Sequence, residues 1–312
     1  MTREAYSELM KAINAGRFVF TGEIEPLKTT SFDDVIRVAE AHKGYVVACN
    51  VTDNPKACAY LSSLVASYVI QKEVGMEAVY QMTVRDRNRL ALFSDLLGAA
   101  ALGIKNVLAL SGDHTTYSDN PGAMPVFDID TAQFVFMVRK MVDEGVDLEG
   151  NKIGGDVKLH VGIAGNPNAD PLEPELLKIE RKIDLGADFM QTQVVFEMEP
   201  TKRFLKEMKK FPIPVIVGIF PCKSYGVAKF FDENIPGVSV PGQFLEKLKK
   251  IDNIEDKELK KRSIDEVNVD YFTDFIKEIK KTTHASGIHI MAVGYERLVK
   301  PLVEDFSKQS LP

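Results

Sequence analysis

Apolar positions along the chain fall into short runs with a period near two, separated by longer helix-like stretches. The runs FVFTGEIE, YVVACNVTD, MEAVYQMTV, NVLALSGD, VKLHVGIAG, FMQTQVVF, PVIVGIF and IHIMAVG read as eight strands. Helix-like stretches lie between them at 31–42, 57–73, 87–103, 129–147, 171–185, 198–210 and 223–234. A doubly wound sheet usually stops at five or six strands, whereas a closed (β/α)8 barrel needs eight such units in a chain of about this length. The pattern therefore predicts an α/β fold of the TIM-barrel type, with one domain over residues 1–312. An extra helix precedes the first strand, and a charged helical insertion, 240–282, precedes the eighth. No low-complexity tract or Pro/Gly/Ser linker divides the chain.

The first strand runs into FTGEIEP, where Phe18, Phe20, Gly22 and Ile24 share one face and Val19, Thr21, Glu23 and Glu25 the other. If the first face meets helices, both acids point into the barrel, and an enclosed carboxylate is costly unless it has a partner or a task. Barrel sites form at the C-terminal ends of the strands. Those ends are polar here: Asn50, Thr52 and Asp53, then Gln81, Thr83, Arg85 and Asp86, then Ser111 and Asp113, Asn166, and Gln191 with Gln193. Period two puts Val107, Ala109, Ser111 and Asp113 on one face, and Phe189, Gln191, Gln193 and Val195 on another; both faces are expected to line the barrel. Glu23, Asp113 and Gln193 then converge on one pocket. Each alone reads equally well as a rim residue paired with a lysine or arginine, and it is the convergence that favours a site.

Composition narrows the classes. With 45% apolar residues and a net charge of -6, the chain is expected to be a soluble globular protein with no global basic field, so nucleic acid is not an expected partner. The opening MTREAYSELMKAINAGRF has neither a signal-peptide core nor a membrane-spanning run, so a cytoplasmic location without membrane attachment is expected. Cys49, Cys58 and Cys222 form no CxxC pair and are odd in number, which favours reduced thiols. His114 alone follows a strand end closely, while His160 and His289 fall within strands five and eight, so no metal site is expected. GxGxxG after a strand, GxxxxGK[ST], HExxH and GxSxG are all absent, which excludes an encoded Rossmann nucleotide domain.

The blocks GEIEP, NVTDNP, QMTVRDRN, LALSGD, GIAGNPNADP and RKIDLGADFMQTQ, in this order and spacing, resemble the methylenetetrahydrofolate reductase family over about residues 17–300. The likeness is strongest to its short, single-domain bacterial and archaeal form. It implies a flavin-carrying barrel that passes a hydride to 5,10-methylenetetrahydrofolate and yields 5-methyltetrahydrofolate, in one-carbon metabolism and methionine biosynthesis. By the same resemblance, Glu23 matches the glutamate that helps protonate the folate amine, with burial in an apolar interior as the expected means of holding its proton. Asp113 matches the aspartate between flavin and pterin, and Gln193 the residue that holds the pterin ring, with Gln191 as its competitor.

The flavin contacts implied are Asn50 or Thr52, Gln81, Ser111, Gly112, Asp113, Asn166 and Asp170, with Glu175, Arg181 and Lys182 where the family binds ribityl and phosphate groups. Ser111, Asn166 and Asp170 stand where better-known members have arginine, tyrosine and histidine, which leaves FAD and FMN both open. Phe231, in VAKFF, matches an aromatic that meets the electron donor, although paired phenylalanines on a helix equally suit a core. That donor is NADH, NADPH or a zinc- or iron-sulfur-containing partner subunit, and a homo-oligomer or hetero-complex is expected. Glu25 replaces an apolar or aromatic residue, and a structural ion pair is its expected role. Two other readings are a flavin-free, pterin-binding barrel that acts as a 5-methyltetrahydrofolate methyltransferase, and a non-catalytic scaffold subunit.

Overall fold

The computed structural model describes residues 3–235 and 237–307. Helix α1 (Glu8–Asn14) leads into strand β1 (Val19–Ile24), after which strands and helices alternate. They run α2 (Asp33–His42), β2 (Ala48–Val51), α3 (Ser63–Val69), β3 (Ala78–Thr83), α4 (Arg89–Ala101), β4 (Asn106–Leu110), α5 (Thr131–Arg139) and β5 (His160–Gly165). Then follow α6 (Glu173–Asp184), β6 (Phe189–Val194), α7 (Met198–Met208), β7 (Val215–Ile219) and α8 (Tyr225–Asn234). The insertion forms α9 (Gly242–Asp252) and α10 (Lys257–Thr282) before β8 (Gly287–Ile290) and α11 (Val299–Ser307). All neighbouring strands pair in parallel and β8 closes on β1, so the sheet is an eight-stranded barrel. Among the described residues no helix is long and apolar enough to cross a membrane.

Helices cover the outside of the sheet, so most strand residues are buried whichever way they point. The barrel floor is a packed layer in which Val19, Ala48, Val79, Leu108, Phe189 and Ile216 meet Leu9, Met10 and Ala12 of α1. Helix α1 is thus a plug. Ser7 caps it by accepting from the Met10 N–H, and the Glu77 carboxylate accepts from the free N–H groups of Glu8 and Leu9 at 2.7 and 2.9 Å. The Phe189 ring lies over Gly162, where a Cβ would come within 2.3 Å of it. Removing a ring packed in this way costs about 3–5 kcal/mol in comparable cores.

Two expectations fail in ways that bear on the site. Leu108, not Val107 or Ala109, faces the interior; the latter two pack outward with the helices. The predicted face of β4 is therefore inverted within the strand, and Gly112, at φ +82°, turns the chain just before Asp113, which lines the cleft. The helix predicted from residue 57 starts at Ser63. Before it, Asn54, Lys56 and Ala57 all have left-handed φ values of 47°, 55° and 57°, which folds 55–57 into a tight turn against the barrel mouth.

Candidate active site

A cleft of about 780 Å³ opens at the C-terminal ends of the strands, within the range of small-molecule sites. Glu23, Asp113 and Gln193 all line it, from the ends of β1, β4 and β6. The expected flavin contacts Asn50, Thr52, Gln81, Ser111, Gly112, Asn166, Glu175, Arg181 and Lys182 line it as well, as does Gln191. Asp170 and Phe231 lie outside this lining. Asp170 is exposed on the loop before α6, and the Phe231 ring packs on Phe220 and Phe196 at centroid distances of 4.5 and 5.9 Å.

Glu23 is largely enclosed, with 13% of its side chain exposed, yet its surroundings are not the apolar ones expected. Its Oε2 lies 3.4 Å from the Gln81 amide nitrogen and 3.3 Å from His289 Nε2. The other imidazole nitrogen meets Thr21 Oγ1 at 3.0 Å. Pairing of β1 with β8 sets Thr21 beside His289, and both side chains point inward. His289 is a site residue that the sequence reading passed over. The alternation in IHIMAVG, with Ile288 and Ile290 on the outer face, was the available signal.

The two glutamines of β6 differ sharply. Gln191 is buried and exchanges hydrogen bonds with Asn50 across the barrel, at 2.6 and 3.1 Å, so each amide satisfies the other. Gln193 is exposed to the cleft and its amide has no hydrogen-bond partner among the described residues. The register between β6 and β7 shifts between Gln191 and Val194, and Thr192 Oγ1 takes the Gly218 N–H at 2.8 Å in place of a ladder bond. Such an irregularity re-aims a side chain at a barrel rim.

Asp113 is exposed at the mouth, where one carboxylate oxygen accepts from the Lys56 N–H at 2.8 Å. Glu25 makes no ion pair among the described residues, contrary to expectation. Burial and the nearby Glu23 raise its carboxyl above the usual value, and Lys56 and Lys223 only partly offset them.

The far side of the cleft is cationic. Lys182 Nζ donates to the Ala164 carbonyl at 3.2 Å and has no carboxylate within ion-pair distance among the described residues. Burial lowers its amine below the ordinary lysine value. Lys178 approaches Glu175 at 3.8 Å, Arg181 approaches Asp130 at 3.3 Å, and Glu175 accepts from the Asn166 N–H at 2.9 Å. Thr52 Oγ1 is buried without a partner among the described residues. An unpaired cation, an orphan hydroxyl and open amide edges fit a ligand with both a phosphate and a heterocycle, which is what a flavin offers.

Fold and cleft together define a TIM-barrel protein whose cleft has Glu23 on one strand end and Lys178, Arg181 and Lys182 along another part of its lining. The methylenetetrahydrofolate reductase family profile matches residues 8–307, and the chain belongs to that family. It is 24% identical to methylenetetrahydrofolate reductase 2 of Schizosaccharomyces pombe, in an alignment covering 78% of this chain and 38% of that protein. It is 25% identical to 5,10-methylenetetrahydrofolate reductase of Salmonella typhimurium, over 59% of this chain and 57% of that protein. The chain spans between 32% and 38% of the length of the first eukaryotic relatives it matches. Its fold is also like the crystal structure of a 2,3-dimethylmalate lyase, with a TM-score of 0.51 at 10% identity, over 96% of this chain and 85% of that one.

Proposed function

We propose that the chain reduces 5,10-methylenetetrahydrofolate to 5-methyltetrahydrofolate with the help of a bound flavin, FAD or FMN. The observation that carries this reading is the meeting of Glu23, Asp113 and Gln193 in one cleft, opposite a Lys182 without an anionic partner. Gln193 and Asp113 hold the pterin, an amide and a carboxylate being suited to the donor and acceptor edges of that ring. Glu23 gives a proton to the folate amine, which opens the methylene bridge to an electrophilic iminium. His289 and Thr21 orient the Glu23 carboxyl and keep a proton within reach of it. Lys182, Arg181 and Thr52 would hold the phosphate and polyol of the cofactor. A flavin held there would supply hydride to the methylene carbon. NADH, NADPH or a partner subunit delivers the electrons at the same open rim, so folate and donor take turns.

The test is the absorption spectrum of the purified protein, followed by chromatography of any chromophore released on denaturation. A yellow protein whose oxidised band bleaches when 5-methyltetrahydrofolate is added supports the reading. A colourless protein that takes up neither FAD nor FMN contradicts it and favours a methyltransferase.

A further inference from the structure

Arg85 has 1% of its side chain exposed, although it stands at the rim, where β3 gives way to α4. A buried guanidinium is costly, and a well-packed apolar residue in such a place is often no less stabilising, so stability alone is a poor account of it. Its bonds suggest another. Nε and Nη2 form a fork on the Asp86 carboxylate at 2.7 and 2.6 Å. The remaining reach goes to two other loops: Nη1 donates to the Asp113 carbonyl and Nη2 to the Asn54 carbonyl, both at 3.1 Å.

These contacts close a ring. Asp113 is held by its carbonyl on Arg85 and by its carboxylate on the Lys56 N–H. From Lys56 the chain runs back two residues to Asn54, whose carbonyl returns to Arg85 and whose amide donates to Asp86 at 3.2 Å. Gly112 makes room for it. A Cβ there would lie 2.9 Å from Arg85 Nη1 and 3.0 Å from Thr83 Cγ2, at a φ of +82° that side chains rarely adopt.

We infer that Arg85 is a positioning residue, which fixes the Asp113 carboxylate in the cleft by holding both the Asp113 carbonyl and the 54–56 segment that binds its carboxylate. The functional half of this rests on the reading of Asp113 as the group that meets the pterin. The geometric half does not.

Two measurements separate them. In cofactor-free protein, Arg85→Gln should raise amide hydrogen exchange in 54–57 and 111–114 by ~10-fold or more, the scale of a lost hydrogen bond to a charged group, with α4 and α5 unchanged. Unchanged exchange in those loops overturns the inference. In the flavin-loaded protein, rapid mixing of the reduced form with 5,10-methylenetetrahydrofolate should show Arg85→Gln slower by ~100-fold, as for a reacting group misplaced by about an ångström, with cofactor reduction nearly unchanged. In an Asp113→Asn background the same change should add less than about 2-fold, because the group it positions is gone. Arg85→Lys, which keeps the charge opposite Asp86 but cannot span both carbonyls, should fall between. Equal slowing of both half-reactions, full additivity with Asp113→Asn, or failure of both Arg85 variants to fold makes Arg85 a structural residue and overturns the inference. A wild-type protein that binds flavin but makes no 5-methyltetrahydrofolate overturns the reading of Asp113 instead, and the exchange result then decides Arg85.

Discussion

His289 Nε2 lies 3.3 Å from Glu23 Oε2, and its Nδ1 meets Thr21 Oγ1 at 3.0 Å, so three side chains from the closing seam of the barrel form one line. In the tautomer that carries its proton on Nε2, the Thr21 hydroxyl donates to Nδ1 and the ring N–H points at Glu23 Oε2. His289→Asn is expected to slow the folate half-reaction by ~10- to 100-fold, less than the ~100-fold or more of a missing general acid because His289 acts through Glu23, and to spare cofactor reduction. Single-turnover oxidation of reduced protein by 5,10-methylenetetrahydrofolate measures it. Thr21→Val, which keeps the shape and removes only the hydroxyl, should have the smaller effect.

The two glutamines of β6 predict opposite phenotypes. Gln193→Ala removes an unpaired amide that faces the cleft, so folate KM should rise while the melting temperature holds. Gln191→Ala strands the buried Asn50 amide and should cost about 1–3 kcal/mol of stability. Calorimetry beside steady-state kinetics distinguishes the two, and a reversed pattern would exchange their roles.

Glu25 gives a pH-dependent stability difference. Its folded-state carboxyl is raised, chiefly by burial and then by Glu23, so the favourable contribution is present below the ordinary carboxylate value of 4.5 and is lost as pH rises through the folded value. Glu25→Gln, which never ionises, should therefore melt higher than wild type at neutral pH, and the gap should close as pH falls below 4.5. A gap that is constant across the titration would place the cause elsewhere.

Lys182 sets stability against binding. Burial disfavours its charged form and no carboxylate compensates within ion-pair distance among the described residues. Lys182→Met should raise the melting temperature of cofactor-free protein and weaken flavin affinity by ~10-fold or more, the scale of one charge-assisted phosphate contact. Fluorescence titration of the cofactor and thermal scans of the stripped protein read the two effects separately.

The barrel was legible because eight strand-like runs alternate with helix-like stretches, and the facing of β1 because Glu23 and Glu25 interrupt only one side of it. The facing of β4 was not. Past Asn106, VLAL is apolar on both sides, and a strand buried on both faces carries no period-two signal. The late start of α3 was equally hidden, since Asn54, Lys56 and Ala57 adopt left-handed backbone without glycine. His289 was missed because its contact with Glu23 exists only once the ring closes, 266 residues away along the chain. The surroundings of Glu25 depend on Lys56 and Lys223, which arrive on two separate loops whose paths leave no mark in the sequence.

Delivery of a proton from Glu23 to the folate amine is open to a decisive measurement: Glu23→Gln, with the two half-reactions followed separately by stopped-flow absorbance of the flavin. Reduction of the cofactor should stay within about 2-fold of wild type while its reoxidation by 5,10-methylenetetrahydrofolate slows by ~100-fold or more, the usual scale for a missing general acid. Equal slowing of both steps, or reoxidation at the wild-type rate, would contradict it.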